Sequence, residues 1–222
     1  MSRNTSAGPF ADSADGTADG TAARRTGRPR SRAADEAILA ATRAALAELG
    51  FSRLTLGDVA ARAGVAKTTL YRRWPGKSEL VVDAVADLFD KLELPPGGGS
   101  LEADIEEVIL QFAALLARPE VRTALMAVVA EATDDEALRA RIRQAIVDRQ
   151  KRLVLQGRAR AQERGELTPP ADPRQAEYEA DLIFDTLAGA VVHRALVSCE
   201  PVDTPWATAL ATLVTQGLRP RP

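Results

Sequence analysis

The stretch that decides the fold is Asp58–Leu80, DVAARAGVAKTTLYRRWPGKSEL, in which a glycine separates two short segments. The first segment is rich in alanine, and the second carries basic, hydroxyl and aromatic side chains. At Gly64 the chain must bend sharply, and we expect a positive φ there because other residues resist that conformation. Two short helices joined by such a turn form a helix-turn-helix. The apolar residues that can lock these helices at a fixed angle are Val59, Ala60, Val65 and Leu70.

The second helix of this motif is predicted to leave its polar face free. Basic, hydroxyl and phenol groups on that face can reach base edges and phosphates in a major groove of DNA. The starts of the two flanking helices add exposed N–H groups and a helix dipole, both of which attract phosphate. The predicted DNA-binding residues of this stretch are Thr55, Lys67, Thr68, Thr69, Tyr71, Arg72 and Lys77.

The charge of the chain is unevenly distributed, although its net charge is −2. Residues 24–78 contain 12 Lys or Arg and 4 Asp or Glu, a net charge of +8. Residues 79–222 contain 16 basic and 24 acidic residues, a net charge of −8. A basic first third indicates that one end of the protein meets a polyanion. The alternative that charge alone leaves open is a solvated charged face.

Residues 1–31 are predicted to form a disordered tail that ends in a basic arm. Residues 1–23 are rich in Gly, Ser, Ala and Asp and have almost no large apolar residues. The basic sequence RRTGRPRSR follows. Within it, Arg28 and Arg30 resemble the arginine pairs that enter a narrow minor groove. The alternative interpretation is a flexible, solubilising end.

Helical patterns extend on both sides of the motif. Residues 33–49 place apolar side chains at helical spacing, and Gly50 suits the position just after a helix. The sequence TLGD, Thr55–Asp58, has the pattern of a capping box that opens the next helix. A fourth helix is predicted over Lys77–Leu92, because Pro and Gly precede it and its apolar residues recur at helical spacing.

The remainder of the chain is predicted to be a second helical domain, residues 101–220, after the break LPPGGGS. About five helices fit this region, of which the longest covers residues 135–165 and the last two cover 175–198 and 206–218. No segment shows the alternation that is typical of a strand. We therefore predict an all-α fold, with a three-helix helix-turn-helix domain over residues 32–92 and a C-terminal helical bundle.

The N-terminal motif resembles the DNA-binding domain of tetracycline-repressor (TetR) type regulators. The matching residues are Gly50-Phe51, Thr55, VAARAGV at 59–65, TTLYRRW at 68–74, Lys77 and Leu80. The resemblance implies that Lys67 and Thr68 meet bases or nearby phosphates. It also implies that Thr55, Tyr71 and Lys77 hold the DNA backbone.

One residue departs from the pattern of this family. Members often have a serine that caps the recognition helix, whereas this chain has Ala66. Alanine has no side-chain oxygen with which to cap a helix, so the helix loses about 1 kcal/mol of stability. A local contact with phosphate is lost with the serine as well.

Residues 158–197 resemble the regulatory domain of one broad branch of the family. The resemblance implies a homodimer in which the last two helices of each subunit form a four-helix bundle, and Gly189 would permit close approach of these helices. Two recognition helices related by a two-fold axis would read a palindrome whose half-sites are about 34–36 Å, or a multiple of this, apart. The residues predicted to form the apolar face between subunits are Leu182, Ile183, Leu187, Val191 and Val192.

The resemblance further implies a repressor that a small hydrophobic molecule releases from a palindromic operator. The ligand would enter a pocket among the C-terminal helices and favour a conformation with the two DNA-binding heads at the wrong separation. The alternative function is a DNA-binding regulator without a small-molecule ligand, controlled by abundance or by a protein partner. The candidate pocket residues, for which ordinary core packing is the alternative role, are Phe112, Leu116, Met126, Phe184 and His193.

Other function classes find little support in the sequence. One cysteine, Cys199, and one histidine leave no zinc-finger spacing, so we expect no metal, no cofactor and no internal disulfide. The sequence GKS at 76–78 resembles the end of a phosphate-binding loop, but Tyr71 replaces the earlier glycine, and we expect no enzymatic activity. We see no membrane span and no secretory signal, and therefore expect a cytoplasmic protein.

Overall fold

The computed structural model describes residues 32–96, 99–170 and 172–218. Within these ranges all regular structure is helical, and no residue lies in a β-strand. None of the described helices is both long enough and apolar enough to cross a membrane. The predicted all-α fold is therefore confirmed. Arg28 and Arg30 of the predicted basic arm lie outside the described residues.

The described residues contain ten α-helices and two π-helical turns. The first four are α1 (Arg32–Arg53), α2 (Leu56–Ala63), α3 (Lys67–Tyr71) and α4 (Lys77–Phe89). The next six are α5 (Leu101–Ala117), α6 (Pro119–Ala132), α7 (Glu136–Ile142), α8 (Asp148–Glu163), α9 (Pro173–Val192) and α10 (Thr204–Leu218). One π-helical turn, Arg143–Val147, joins α7 to α8, and another, His193–Val197, extends α9.

Local backbone signals set the geometry of the helix-turn-helix. The helical conformation of α1 is broken at Gly50, whose φ is +72°. Thr55 caps α2, because its Oγ1 accepts a hydrogen bond from the Asp58 N–H at 3.1 Å, while the Asp58 carboxylate accepts one from the Thr55 N–H at 3.2 Å. This reciprocal pair is the predicted capping box. Gly64 ends α2 with a φ of +65°, as the sharp turn requires.

The recognition helix, α3, is five residues long. Ala66 occupies its cap position and provides no side-chain hydrogen bond, as the sequence predicts. Leu70 and Trp74, which are 0% and 5% exposed, anchor the helix and the turn that follows it. Because so short a helix is unstable in isolation, packing rather than helix propensity holds α3 in place.

Helix α4 connects the two parts of the molecule, which we call the head (residues 32–92) and the body (residues 101–218). Eight of its 13 residues are buried, since it packs on α1 in the head and on α6 and α7 in the body. It ends at Phe89, before the predicted end at Leu92. The reason is that the Leu92 N–H bonds to the Phe89 carbonyl, only three residues back, at 3.1 Å, and the chain leaves the α-helical register.

The predicted long helix over residues 135–165 is observed as α7, a π-helical turn and α8 in one continuous rod. Asp135 caps its start by accepting a hydrogen bond from the Leu138 N–H at 2.9 Å. In the π-helical turn each N–H bonds one residue further back than in an α-helix. A sequence pattern with a period of 3.6 residues does not reveal such a local change, so the turn was not predicted.

The body is a helical bundle around an apolar interior. Helix α5 packs against α10, and α8 packs against α9. Ile109 and Leu116 of α5 and Ala207 and Ala211 of α10 are almost fully buried. The small alanine side chains allow the two helices to approach closely. Helix α6 of this bundle packs on both α4 and α1 of the head.

Candidate functional site

Five of the predicted DNA-binding residues collect on α3 and at the residue directly after it. Lys67, Thr68, Tyr71 and Arg72 are exposed, and Thr69 is half-buried. Tyr71 is 59% exposed, although it is large and aromatic. Cations, hydroxyl groups and an exposed ring together provide the kinds of contact that proteins make with phosphates and base edges. The structure thus brings these residues onto one accessible element.

Other cations of the head are neutralised by neighbouring carboxylates. Arg62 pairs with Glu48 at 2.7 Å, and Arg73 pairs with Asp35. The hydrogen bond and the charge of Arg62 lower the pKa of the Glu48 carboxyl. The hydrogen bond to Glu48 raises the pKa of Arg62 in turn. These arginines therefore have part of their charge balanced within the head.

Lys67 and Arg72 make no ion pair with any carboxylate in the described part of the chain, so their charges face solvent. The side chain of Lys67 lies across Gly57 in the first turn of α2, because a Cβ built on Gly57 would be 3.0 Å from the Lys67 Cε and Nζ. The same Cβ would be 3.5 Å from the Thr55 Oγ1. The ammonium group therefore lies near the N-terminal end of α2, where the helix dipole adds positive potential.

Two predicted phosphate-binding residues, Thr55 and Lys77, already have partners inside the head. The Thr55 hydroxyl belongs to the capping box of α2. The Lys77 Nζ donates a hydrogen bond to the Phe51 carbonyl at 3.1 Å and lies 4.1 Å from the centroid of the Phe51 ring. These contacts give both residues a part in stabilising the head. Their contacts with DNA stay predictions.

The body contains a largely apolar cavity whose wall is formed by α4, α5, α8 and α9. The cavity has a volume of about 100 Å³, several times the volume that one water molecule needs. The ring of Phe89, at the end of α4, packs on that of Phe112 with the centroids 5.9 Å apart. Such a lining suits an apolar ligand. Further apolar residues of the wall are Val108, Leu153, Val154, Phe184 and Leu187.

Two charged side chains, Asp104 and Arg158, also reach the cavity wall. Both are buried, and both have an oppositely charged partner. Arg164 lies 3.1 Å from the Asp104 carboxylate, and Arg158 pairs with Glu179. The hydrogen bond from Arg164 to Glu166, followed by that to Asp104, raises the pKa of Arg164 against the opposing effect of burial. The polar part of the wall therefore carries little unbalanced charge.

Gln150 ties the cavity wall directly to α4. Its Nε2 donates a hydrogen bond to the backbone carbonyl of Phe89 at 2.9 Å. The sequence did not reveal Phe89, Gln150 and Arg158 as residues of the cavity. Phe89 is visible in the sequence only as one apolar position of α4. Gln150 and Arg158 lie in a highly charged helix, where nothing in the local pattern marks them as different from surface residues.

Two of the five predicted pocket residues, Phe112 and Phe184, lie in the cavity wall. Leu116 is fully buried in the core and is not part of that wall. Met126 is 49% exposed on α6, beside the end of α1. His193 is exposed at the end of α9. The structure does not bring these three residues to the cavity, because residue size and polarity do not indicate which side of a helix faces it.

The outer face of α9 carries apolar side chains that this chain leaves uncovered. Tyr178 and Leu182 are 69% and 52% exposed, and Gly189 and His193 follow them at helical spacing. Leu213 of α10 is 67% exposed. A Cβ built on Gly189 would meet no atom within 4 Å. This open, partly apolar face is suited to a helix of another subunit.

The composition of the predicted face between subunits needs a correction. Ile183 and Val191 are 5% and 0% exposed, and they line the cavity of their own chain together with Leu187. Leu182 is the member of the predicted set that is exposed. Because neighbouring residues of a helix point about 100° apart, Leu182 and Ile183 face different sides.

Two family models match this chain. The model of the bacterial regulatory proteins of the tetR family matches residues 38–84. The model of the C-terminal domain of tetracyclin repressor-like proteins matches residues 95–214. The first match contains the whole helix-turn-helix, and the second contains most of the body and most of the residues that line its cavity.

Relatives of known sequence and of known structure agree with these matches. An uncharacterised helix-turn-helix-type transcriptional regulator of Mycobacterium tuberculosis is 32% identical over 166 residues, which are 74% of this chain and 77% of that protein. The regulator YdeS of Bacillus subtilis is 28% identical over 197 residues, or 88% of this chain and 94% of YdeS. A TetR family transcription regulator of known crystal structure is 32% identical with a TM-score of 0.68, over 84% of this chain and 99% of that one.

The likeness in fold extends to more distant proteins. The regulator FadR from Bacillus subtilis, whose crystal structure was solved in complex with stearoyl-CoA, is 16% identical with a TM-score of 0.61. The alignment covers 83% of this chain and 99% of FadR, and at this identity it shows the fold alone. The family matches at both ends of the chain and the relatives at 32% identity lead to one conclusion: this chain belongs to the TetR family of helix-turn-helix transcriptional regulators.

Proposed function

We propose that the protein is a homodimeric repressor that a small hydrophobic molecule releases from a palindromic operator. One observation carries this proposal: α4 begins beside the helix-turn-helix and ends in the wall of the cavity, where Phe89 packs on Phe112. A molecule that enters the cavity pushes on Phe89. Because α4 is buried against both the head and the body, its displacement reaches the head. By linkage, ligand and operator then weaken each other's binding equally.

The accessible face of α3 supports direct contact with duplex DNA. We assign Lys67 and Thr68 to base edges, and Tyr71 and Arg72 to phosphates. Arg72→Gln should then reduce the slope of log affinity against log salt concentration by about 1, because one phosphate contact is lost. Arg62→Gln is the matched control, since Arg62 already pairs with Glu48. Equal slopes in the two variants would refute the assignment of Arg72.

Base readout makes a different prediction for α3. Thr68→Ala should relax the sequence preference at particular base pairs and leave the salt dependence of binding unchanged. The measurement is selection of bound duplexes from a random-sequence pool by the wild-type protein and by the variant. Identical selected sites would show that Thr68 reads no base.

The exposed stripe of α9 supports a homodimer. Leu182 is 52% exposed, and about two turns further along the helix a Cβ at Gly189 would meet no atom within 4 Å, which leaves room for a helix of another subunit. A dimer also follows from the length of α3, because five residues extend over only about 7.5 Å and reach few base pairs. Leu182→Glu should therefore yield monomers in sedimentation experiments, and these should bind a palindromic duplex weakly.

A cavity-filling variant tests whether the body binds a ligand. A thermal-shift screen of small hydrophobic compounds should find one that raises the melting temperature of the wild-type protein. Val108→Trp places a large ring in the cavity wall and should abolish that shift. The control is Val129→Trp, because Val129 is 51% exposed on the surface of α6. The fold of FadR, with its stearoyl-CoA, makes acyl compounds the first set to screen.

The alternative is a regulator without a small-molecule ligand. It predicts that no compound shifts the melting temperature, or that Val108→Trp and Val129→Trp respond to a compound alike. The apolar cavity favours the ligand-responsive reading, because an interior packed without space would offer no binding site.

A further inference from the structure

A cluster of hydrogen bonds joins the recognition helix region, α4 and the body. The Asp83 carboxylate on α4 accepts a hydrogen bond from the Trp74 indole Nε1 at 2.8 Å. It accepts two more from Arg141 of α7, from Nε to Oδ1 at 3.1 Å and from Nη2 to Oδ2 at 2.6 Å. We call these three residues the Asp83 cluster. Two parallel bonds from one guanidinium group fix its orientation as well as its distance.

Trp74 connects the Asp83 cluster to the DNA-binding face. It lies three residues after the end of α3, and its backbone N–H bonds to the Leu70 carbonyl at 2.9 Å. Its ring is buried in the core of the head. Because α3 has only five residues and no side-chain cap, its direction depends on such anchors. A displaced indole would therefore turn Tyr71 and the neighbouring polar groups away from their positions.

Arg141 connects the same cluster to the cavity. It lies two residues before the π-helical turn, and Ile146 of that turn and Gln150 of α8 line the cavity. Since α7, the turn and α8 form one continuous rod, a displacement of the cavity wall moves Arg141 as well. π-Helical turns are frequent at functional sites.

We propose that Arg141 is a positioning residue for DNA binding. It holds Asp83, which holds Trp74 and thereby sets the direction of the recognition helix. The rod then couples the cavity to α3 by a route that begins at Ile146 and Gln150 and runs beside the one through Phe89. This inference rests on the proposed function, because it takes α3 as the element that binds the operator.

The test compares Arg141→Gln with Arg149→Gln. Arg149 also joins the rod to α4, through an ion pair with Asp90, and each variant removes one positive charge. Among the described residues no hydrogen bond links Asp90 to α3. The DNA is the duplex that the wild-type protein selects from a random-sequence pool, measured beside an unselected duplex of the same length.

The variants should differ clearly in affinity. Arg141→Gln should weaken binding to the selected duplex about tenfold, with the salt dependence unchanged because no phosphate contact is lost. Binding to the unselected duplex should change much less. Arg149→Gln should stay within about twofold of the wild type for both. Arg141→Lys keeps the charge without the two parallel bonds and should recover only part of the affinity.

The indole N–H signal of Trp74 in NMR spectra reports on the cluster directly. It is identified by its loss in Trp74→Phe, because Trp206 is the other tryptophan of the chain. Arg141→Gln should shift this signal, and Arg149→Gln should not. Val108→Trp, which fills the cavity, should shift it in the wild-type background and should shift it less in Arg141→Gln, where only the route through Phe89 remains.

An unmoved indole signal with wild-type affinity in Arg141→Gln would overturn the inference. Equal losses of affinity in Arg141→Gln and Arg149→Gln would also overturn it, since they indicate a general loosening of the rod. A wild-type protein that enriches no duplex from the pool would refute the proposed operator binding itself. That result is separate, because it is seen before any variant is made.

Discussion

The recognition helix and the body use charged side chains in opposite ways. At α3, Lys67 and the C-cap residue Arg72 are exposed and make no ion pair with a described carboxylate. In the body, most cations of the rod formed by α7, the π-helical turn and α8 form ion pairs with carboxylates of the same chain. The rod's paired cations are Arg139, Arg141, Arg149, Lys151 and Arg158. Charges in the body thus fix helices to one another, whereas those on α3 remain available for an external anion.

The largest effect expected from this division comes from paired core truncations. Leu70 in the head and Leu116 in the body are both fully buried. Leu70→Ala and Leu116→Ala should each lower the free energy of unfolding by about 2–5 kcal/mol, because each leaves a cavity. Measured by denaturation and by DNA binding at a temperature where both variants are folded, Leu70→Ala should lose operator affinity more strongly. Similar losses of affinity in the two variants would show that core packing in the head and in the body matters equally for DNA binding.

A smaller effect is expected from two glycines with positive φ. Gly64 and Gly165 have φ values of +65° and +76°, and a Cβ at either would meet no atom within 4 Å. Gly64→Ala and Gly165→Ala should therefore each cost about 1–2 kcal/mol of stability through backbone strain alone. Calorimetry should show similar losses for both. A duplex-binding assay should separate them, because only Gly64 sets the angle of the recognition helix, and equal binding would contradict that role.

Restoring the missing cap of α3 should raise the free energy of unfolding by about 1 kcal/mol. Ala66→Ser supplies a side-chain oxygen that can accept a hydrogen bond from the first turn of α3. We expect a higher melting temperature and tighter binding to DNA, since the recognition helix becomes more rigid. The control is Ala63→Ser, three residues earlier at the end of α2, because Ala63 does not cap α3. No gain in Ala66→Ser relative to this control would show that packing alone decides the order of α3.

The smallest effect concerns two exposed carboxylates whose pKa is lowered by an arginine. The pKa of Glu48 is lowered by the hydrogen bond from Arg62 in the head, and the pKa of Glu136 is lowered by the hydrogen bond from Arg139 in the body. A carboxyl whose pKa is lowered in the folded state stabilises the fold at pH values above its pKa in the unfolded state, about 4.3. This stabilisation is lost as the pH falls through the pKa of the folded state. Glu48→Gln and Glu136→Gln should therefore be slightly destabilised at pH 7 and match the wild type in strong acid.

The same two variants sharpen the comparison of charges. Glu48→Gln frees Arg62 of α2, within the helix-turn-helix, so affinity for an unselected duplex at low salt should rise and its salt dependence should steepen. Glu136→Gln frees a cation in the body and should leave DNA binding unchanged. Electrophoretic mobility shifts at several salt concentrations measure both. An equal response of the two variants would show that the position of the freed charge has no influence.

Much of the head could be predicted from the sequence, because its geometry is set by short-range signals. The TLGD capping box needs only Thr55 and Asp58, three residues apart. The turn needs a positive φ at Gly64, and the missing cap is visible in Ala66 alone. Each of these features involves residues within one helical turn of each other. They therefore leave a readable trace in the order of amino acids.

The body could be predicted only as a set of helices. The cavity depends on residues that are far apart in sequence, such as Phe89, Phe112 and Phe184. Residue type indicated that Phe184 is apolar but not that Ile183 beside it faces the same cavity from the buried side of α9. The Asp83 cluster joins positions 58 residues apart, and nothing near Arg141 in the sequence distinguishes it from the other arginines of its helix.

The π-helical turn at residues 143–147 makes this protein sensitive to chain length at one point. In a regular α-helix, Arg141 and Gln150 are nine positions apart and would point about half a turn away from each other. With the wider turn between them, both reach α4, at Asp83 and at Phe89. Deleting one residue from the turn would leave a regular α-helix in which the two side chains, now eight positions apart, still lie only about 80° from each other. Inserting one residue would turn one of them off α4, so at this place an insertion would cost the protein more than a deletion.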